Sequence, residues 1–309
     1  MASARVVARA EGGSLASAGR IRGPQCQSPP IWHQDRTDKG ASAEYQRAMK
    51  LNTLTIDDLT IRDERAFRHI ALYDTLKKLV RTAGARFYAP PKGAADATWD
   101  RVVFLNLTWW VPGSTTDVLV DDSIDADVVA HIAWHHAAYQ HLPQGSADAH
   151  FLGEAIASAF DVYLIGRTLG RNPESGFLET QVPAMAEVAS AAGLSDDAFE
   201  ALLLSMSHEP ERAFEDLRAL LFDVTTTLVR CADAPAAALA FERFDQHRFA
   251  PLLHHFELSN WILYAKAMGP AALEPDPAVR AVDQALRAAP VALDWLEQRW
   301  LGVEPDGLR

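Results

Sequence analysis

The sequence predicts an α+β fold that is predominantly α-helical, with a small three-strand sheet ahead of a long helical part. Short runs of β-branched and aromatic residues are confined to residues 85–120 and are bounded by Pro and Gly. After Gly170, apolar residues recur at helical spacing, and Gly and Pro separate one helical run from the next. Strands followed by a series of helices are typical of an α+β fold.

A helical segment precedes the strands. Residues 44–84 are predicted to be helical, most strongly at 63–83, where apolar residues recur at helical spacing. Three short strands follow, and the second of them is the strongest strand pattern in the chain. They cover residues 85–89, 101–110 and 116–120.

Two apolar-periodic helices joined by a short polar loop come next, and the rest of the chain is predicted to be helical. The first begins in the Asp-rich segment 121–127, which complements the helix dipole, and ends before Pro143. The second is expected to be capped by Asp148 and to run to Gly166 or Gly170. The later helices are predicted at 176–192, 195–206, 209–231, 234–246, 248–267, 276–288 and 290–301.

The composition argues against several classes of protein. A formal net charge of −12 makes the chain a poor match for a nucleic-acid backbone. The sequence has no apolar run long enough for a membrane span. Cys26 and Cys231 are too far apart to indicate a disulfide framework or a cysteine zinc site, so a reducing cytoplasm is the expected compartment.

Residues 1–42 are expected to form a disordered tail. Their first part is rich in Ala, Ser, Gly and Arg, with Glu11 as its acidic residue. An organelle transit peptide has the same composition and stays open as an alternative. The folded chain is then divided into an α+β part at 43–170 and an all-helical part at 171–309, with a cleft between them.

The first of the two apolar-periodic helices carries a pair of histidines with metal-ligand spacing. His131 and His135 are spaced i, i+4, so both imidazoles leave one face of the helix a turn apart. That geometry suits two ligands of one divalent metal. Glu154, at the start of an apolar run on the next helix, is the best-placed third ligand.

This pattern resembles the gluzincin metallopeptidases. The chain has HxxxH, then eighteen residues (136–153), then Glu154 in the run GEAIASAF. Gluzincins carry HExxH on one helix and the third zinc ligand on the next, often in a run similar to NEGFAxY. The resemblance implies a zincin-like pair of metal helices after a small sheet, with His131, His135 and Glu154 as ligands. Ile132 stands where the family has its Glu general base, so the peptidase mechanism lacks its base.

The resemblance also implies a residue that stabilises an oxyanion. In gluzincins, a His or Tyr from the C-terminal helical part has this role. Here His254, His255 and Tyr264 are the candidates, all on the helix that is predicted from 248 to 267. Amphipathic packing of that helix is the alternative explanation of these residues, because apolar side chains recur along it as well.

Other polar residues near the pattern have weaker claims. Asp161 lies two turns beyond Glu154 on the same face and is expected to hold the outer nitrogen of a ligating His. His136 points about 100° away from His135, and His141 lies about 15 Å along the axis from His131. His150 is expected in a solvent-facing loop.

Three functions follow, and the sequence leaves them open. The first is a metal-dependent enzyme other than a standard peptidase, using Zn²⁺ or Fe²⁺. With Fe²⁺, two His and one carboxylate form the ligand set of non-haem oxygenases, which need no Glu base. The second is a degenerate metallopeptidase-like protein that binds without catalysis. The third is a hydrolase with a relocated base, such as Asp161, His136 or a His of the late helix. The expected ligand is a peptide or a small molecule in the cleft.

Overall fold

The computed structural model describes residues 52–89, 91, 117–119 and 121–302. Over these residues the chain is mostly helical, with a small content of strand, as an α-rich α+β fold requires. The predicted tail at 1–42 and the predicted strand at 101–110 lie outside the described residues. In the described part of the chain, no helix has both the length and the apolar character needed to cross a bilayer.

The described strands form two small sheets. In the first, β1 (Asn52–Thr55) pairs antiparallel with β3 (Arg86–Ala89), and β3 pairs parallel with β4 (Asp117–Val118). In the second, β2 (Thr60–Arg62) pairs parallel with β5 (Ser123–Asp125). The predicted strands at 85–89 and 116–120 therefore contain β3 and β4.

The prediction of helix throughout 44–84 is wrong at β1 and β2. Both segments are rich in threonine, and their partners lie far along the chain: Leu54 is opposite Phe87, and Ile61 is opposite Ile124. Such pairing depends on tertiary context, which a local spacing rule does not contain. Helix begins only with α1 (Glu64–Phe67) and α2 (Ala71–Thr82).

The remaining helices lie close to their predicted positions. The two helices that carry the candidate metal ligands are α3 (Ala126–His141) and α4 (Ala147–Leu169). After them come α5 (Gly176–Ala191), α6 (Asp196–His208), α7 (Pro210–Leu228), α8 (Ala234–Phe241), α9 (Leu258–Ala267), α10 (Pro277–Ala288) and α11 (Ala292–Trp300). The boundary at residue 170 stays a prediction; α4, ahead of it, packs against α6 and α7, behind it.

One predicted helix is broken in two. Instead of one helix over 248–267, a 3-10 helix runs from Ala250 to Phe256, and α9 begins at Leu258. Between them, Glu257 has a left-handed backbone, with φ 48° and ψ 43°. Non-glycine residues seldom adopt this conformation, so no helical spacing rule would have indicated the break.

Helix α4 lies at the centre of the core. It is buried nearly all round, and it contacts α3, α6 and α7. A helix that is buried on every face is expected to be apolar on every face, and α4 is built mainly from Ala, Gly, Leu, Ile, Val and Phe. Its small residues set how near the other helices come, since a Cβ at Gly166 would lie 2.3 Å from the backbone oxygen of Met206.

The start of α4 differs from the expected cap. Ser146 is the N-cap, and its side chain accepts a hydrogen bond from the backbone N–H of Ala149. Asp148 is buried instead, and it accepts two hydrogen bonds from Arg280 of α10, at 2.7 and 3.0 Å. The carboxylate expected to cap α4 therefore connects α4 to a late helix.

We expect Gly166→Ala to lower the free energy of unfolding by about 1–3 kcal/mol, because the new methyl group would overlap a backbone oxygen that cannot rotate away. Gly170→Ala is the matched control: its Cβ would meet only Ser207 Oγ, at 3.4 Å, so a change within about 0.5 kcal/mol is expected. Urea denaturation of both variants measures the difference. Equal stability of the two would contradict the close packing of α4 on α6.

Candidate metal centre

Helices α3 and α4 bring His131, His135 and Glu154 together. The imidazole centroids of the two histidines are 4.9 Å apart, one helical turn along α3. Glu154 Oε2 of α4 lies 3.5 Å from His135 Nε2. One ligand atom from each residue lies within 4.8 Å of the others, which is close enough for all three to bind one metal ion.

Glycine at position 153 lets the two helices approach at this level. A Cβ there would lie 3.2 Å from Ala138 Cβ of α3, closer than most Cβ atoms come to one another. The residue next to Glu154 is therefore in tight contact with the histidine helix. This contact holds the carboxylate against the imidazoles.

One buried atom of the cluster has no hydrogen-bond partner among the described residues: His135 Nε2. The Glu154 side chain is 6% exposed, and its Oε2 lies 3.5 Å from this nitrogen. Leaving a buried polar group unsatisfied costs about 1–3 kcal/mol, and a cation bound by His135 and Glu154 would satisfy the nitrogen. Two imidazoles and a carboxylate suit Zn²⁺ and Fe²⁺.

Asp161 contacts the cluster from α4, two turns beyond Glu154. His131 Nδ1 donates a hydrogen bond to Asp161 Oδ2 over 3.0 Å. That bond places a proton on Nδ1, so Nε2 is the nitrogen that can bind a metal once its own proton is lost. The geometry is the one that the sequence predicts for Asp161, and its role towards a metal stays a prediction.

Without metal, the pKa values of the three cluster residues are shifted in different directions. Burial raises the pKa of Glu154 to about 7, with the positive charge on His131 opposing and Asp161 adding to the shift. Burial lowers the pKa of His131, but the charge and hydrogen bond of Asp161, with Glu154, outweigh it and raise this pKa to about 9. Burial and the neighbouring histidines hold the pKa of His135 well below its usual range. Metal binding must therefore displace a proton from His131.

The cluster lies between two cavities. The first, named here the Trp261 cavity, has a volume of about 290 Å³ and is lined by His131, Asp161, Gln181, His255, Glu257 and Trp261, among others. The second, the Tyr264 cavity, has a volume of about 360 Å³, and its lining includes His135, Tyr139, His150 and Tyr264. Glu154 lines both. A metal bound here would be reached from two sides.

The three expected oxyanion residues do not lie together: the break at Glu257 separates Tyr264 from His254 and His255. His255 lines the Trp261 cavity, and Tyr264 lines the Tyr264 cavity. His254 is not brought to the cluster: it lines a third cavity of about 900 Å³, and its ring lies 5.5 Å from that of Phe241. Neighbouring residues of a 3-10 helix point about 120° apart, so His254 and His255 face different cavities.

His150 was expected in a solvent-facing loop, and this is wrong. It lies in the first turn of α4, half-buried in the Tyr264 cavity, with its ring 5.0 Å from Tyr264. Burial lowers its pKa to about 3. The spacing i, i+4 to Glu154 is a signal that would have indicated a shared face.

The other histidines of α3, His136 and His141, have partners within the protein. His136 is buried and accepts a hydrogen bond from Gln140 Nε2 at 2.8 Å. His141 Nδ1 donates to the backbone oxygen of Ala137, and the ring stacks on Trp300. Ile132 is buried and lines neither cavity at the cluster.

Comparison with known proteins identifies no relative. No protein-family model, curated protein or solved structure matches this chain. The resemblance to gluzincins therefore rests on the spacing of His131, His135 and Glu154 and on the cluster that these residues form.

In chelator-treated protein, Asp161→Asn should lower the pKa of His131 from about 9 by about 1–3 units, since burial then acts with less opposing charge. Imidazole NMR spectra recorded between pH 5 and 10 measure the value. Protonated His131 stabilises the metal-free fold below its ordinary pKa of 6.5, and this stabilisation is lost as the pH rises through about 9. The variant should lose stability at low pH in particular.

Asp245→Asn, which removes an exposed carboxylate outside the site, is the control for that experiment. An unchanged His131 pKa in Asp161→Asn would show that the hydrogen bond between the two side chains does not persist in solution.

Proposed function

We propose that this protein is a metal-dependent enzyme whose single divalent cation, Zn²⁺ or Fe²⁺, is held by His131, His135 and Glu154. The observation that carries the proposal is the cluster itself, with its ligand atoms within 4.8 Å of one another at the junction of two cavities. The buried, unsatisfied Nε2 of His135 supports it, because a cation would satisfy this atom.

The protein's own residues would orient and tune such a centre. Asp161 fixes the ring of His131 through Nδ1, which leaves Nε2 directed away from that hydrogen bond. The buried surroundings exclude most water from Glu154 and His135 and thus strengthen electrostatic interactions there. When bound, the cation would supply Lewis-acid chemistry or, as iron, redox chemistry.

Ile132 bears on which class of reaction is favoured, because it stands at the position of the gluzincin general base. The gluzincin-like spacing supports a catalytic cleft, but an isoleucine cannot accept a proton from water. Because this side chain is also buried away from both cavities, the standard peptidase mechanism is not favoured. We therefore favour a reaction that needs no base at this position, such as that of a non-haem Fe²⁺ oxygenase. The cavity volumes favour a small-molecule substrate over a long peptide.

A hydrolase with a relocated base is the second candidate. His255 and His150, which line the two cavities, are the observation in its favour. Asp161 is a weaker candidate base because it is held by His131, and His136 is weaker because it bonds to Gln140. A metal-loaded protein without catalysis would be the degenerate binding protein.

Protein purified without a metal-chelating tag should contain about one equivalent of metal, and His131→Ala and Glu154→Gln should lose it. Chelation should lower the melting temperature of the parent by roughly 5–10 °C if free metal is near 100 times its Kd. Elemental analysis and thermal melts measure the two effects. His208→Ala, at an exposed histidine outside the cluster, is the matched control and should keep the metal.

The element found separates the functions. Iron with substrate-dependent oxygen uptake would support the oxygenase, and zinc with chelator-sensitive hydrolysis would support the relocated base. Metal binding without turnover would support the degenerate binding protein. If neither Zn²⁺ nor anaerobic Fe²⁺ binds during reconstitution, the proposal is wrong.

A further inference from the structure

The Trp261 cavity is acidic. Its lining includes the carboxylates of Glu154, Asp161 and Glu257, and no Lys or Arg is among the described residues that line it. A divalent cation at the cluster would neutralise two of the three carboxylates. One negative charge is then left in the cavity, because histidines that bind metal are neutral.

Glu257 carries that remaining charge. Asp161 is paired with His131, and Glu154 belongs to the metal cluster. Glu257 lies at the exposed edge of the cavity, where its carboxylate accepts a hydrogen bond from Asn260 Nδ2 at 2.7 Å and has no Lys or Arg partner among the described residues. A carboxylate at a cavity wall without a cationic partner is complementary to a cationic ligand.

Glu154 contributes to the acidic lining as a member of the metal cluster. Its side chain is more than nine-tenths buried, lines the cavity and lies 3.5 Å from His135 Nε2. The acidic lining therefore extends from Glu257 inwards to the metal cluster. The cavity has places for two positive charges, one at the metal cluster and one at Glu257.

One wall of the Trp261 cavity is formed by the segment around the break in the predicted helix 248–267. Five lining residues come from one short segment: His255, Phe256, Glu257, Asn260 and Trp261. On a continuous α-helix, three consecutive residues would spread over about 200°, so they would not all face one cavity. The left-handed backbone of Glu257 brings them to the same side. Glycine would adopt this conformation without strain, yet the position carries a carboxylate.

The wall also offers aromatic and apolar surface. The buried indole of Trp261 and the ring of Phe256 line the cavity, together with Val162, Ile165 and Met185. Aromatic faces attract cations, and the aliphatic side chains suit an apolar ligand body. A volume of about 290 Å³ suits a small molecule.

We propose that the Trp261 cavity binds a small substrate that bears a protonated amine, with its ammonium group at Glu257 and its apolar body against Trp261 and Phe256. This inference rests on the proposed function, since it names the substrate class of the same site. The reacting part of the substrate then lies towards His131 and Glu154.

The test uses three probes of similar shape: phenethylamine, 2-phenylethanol and phenylacetate. Each is titrated calorimetrically at pH 7.5 into the full chain, both loaded with zinc and free of metal, with metal content measured on the same samples. Phenethylamine should bind at least about tenfold more tightly than the alcohol, as expected for a hydrogen bond between charged groups. Phenylacetate should bind most weakly.

The matched variants are Glu257→Gln and Glu274→Gln, the second at an exposed carboxylate outside the cavity. Glu257→Gln should weaken phenethylamine about tenfold or more and leave the alcohol unchanged, whereas Glu274→Gln should change neither. If Glu257→Gln does not fold, the order of the three affinities measured with the parent protein still tests the amine site. Amine binding insensitive to Glu257→Gln, or tighter binding of phenylacetate, would overturn the inference.

The two proposals fail in different ways. Metal uptake without amine selectivity overturns the amine site alone. Absence of metal uptake overturns the proposed function, and the metal-free titrations then decide the amine site. Amine binding that depends on Glu257 would support it, and equal binding of amine and alcohol would overturn it as well.

Discussion

The close contact between α3 and α4 is the constraint on which the candidate site depends. Helix α4 is buried on nearly every face, so its neighbours can approach only where its side chains are small. Gly153 provides such a place, with Ala138 of α3 at 3.2 Å from where its Cβ would be. Glu154 follows directly and is held against the histidines. A larger residue at 153 would separate the helices at the level where the ligands meet.

Polar groups inside this core fall into two kinds. Arg218 of α7 is fully buried, yet its guanidinium is paired with Glu215 and Asp283 at 2.7–2.8 Å. The charges of that network compensate one another within the protein, so a structural role accounts for it. His135 and Glu154 are also largely buried, but His135 Nε2 makes no hydrogen bond, although Glu154 Oε2 lies 3.5 Å away. Burial with unsatisfied polar atoms is more typical of a site that binds something.

The sequence was informative wherever short-range geometry decides the outcome. Helical spacing places His131 and His135 on one face, and Asp161 beyond Glu154, because neighbours on a helix follow from its pitch alone. Local sequence patterns do not predict pairing between distant strands, so β1 and β2 were expected to be helical. The left-handed Glu257 was not predicted either; it ends the 3-10 helix that carries His254 and His255 and lines the Trp261 cavity.

The pair formed by Asp148 and Arg280 joins parts of the chain that are far apart in sequence. Arg280 lies over the ring of Phe222, with its guanidinium carbon 5.0 Å from the ring centroid, and binds the buried carboxylate with two hydrogen bonds. Removal of the Arg280 side chain alone would leave that carboxylate buried without a counter-charge, a cost of about 3–5 kcal/mol. The helix that carries Glu154 thus depends thermodynamically on a segment more than a hundred residues downstream. A chain shortened after α9 would lack this counter-charge even though every candidate ligand were present.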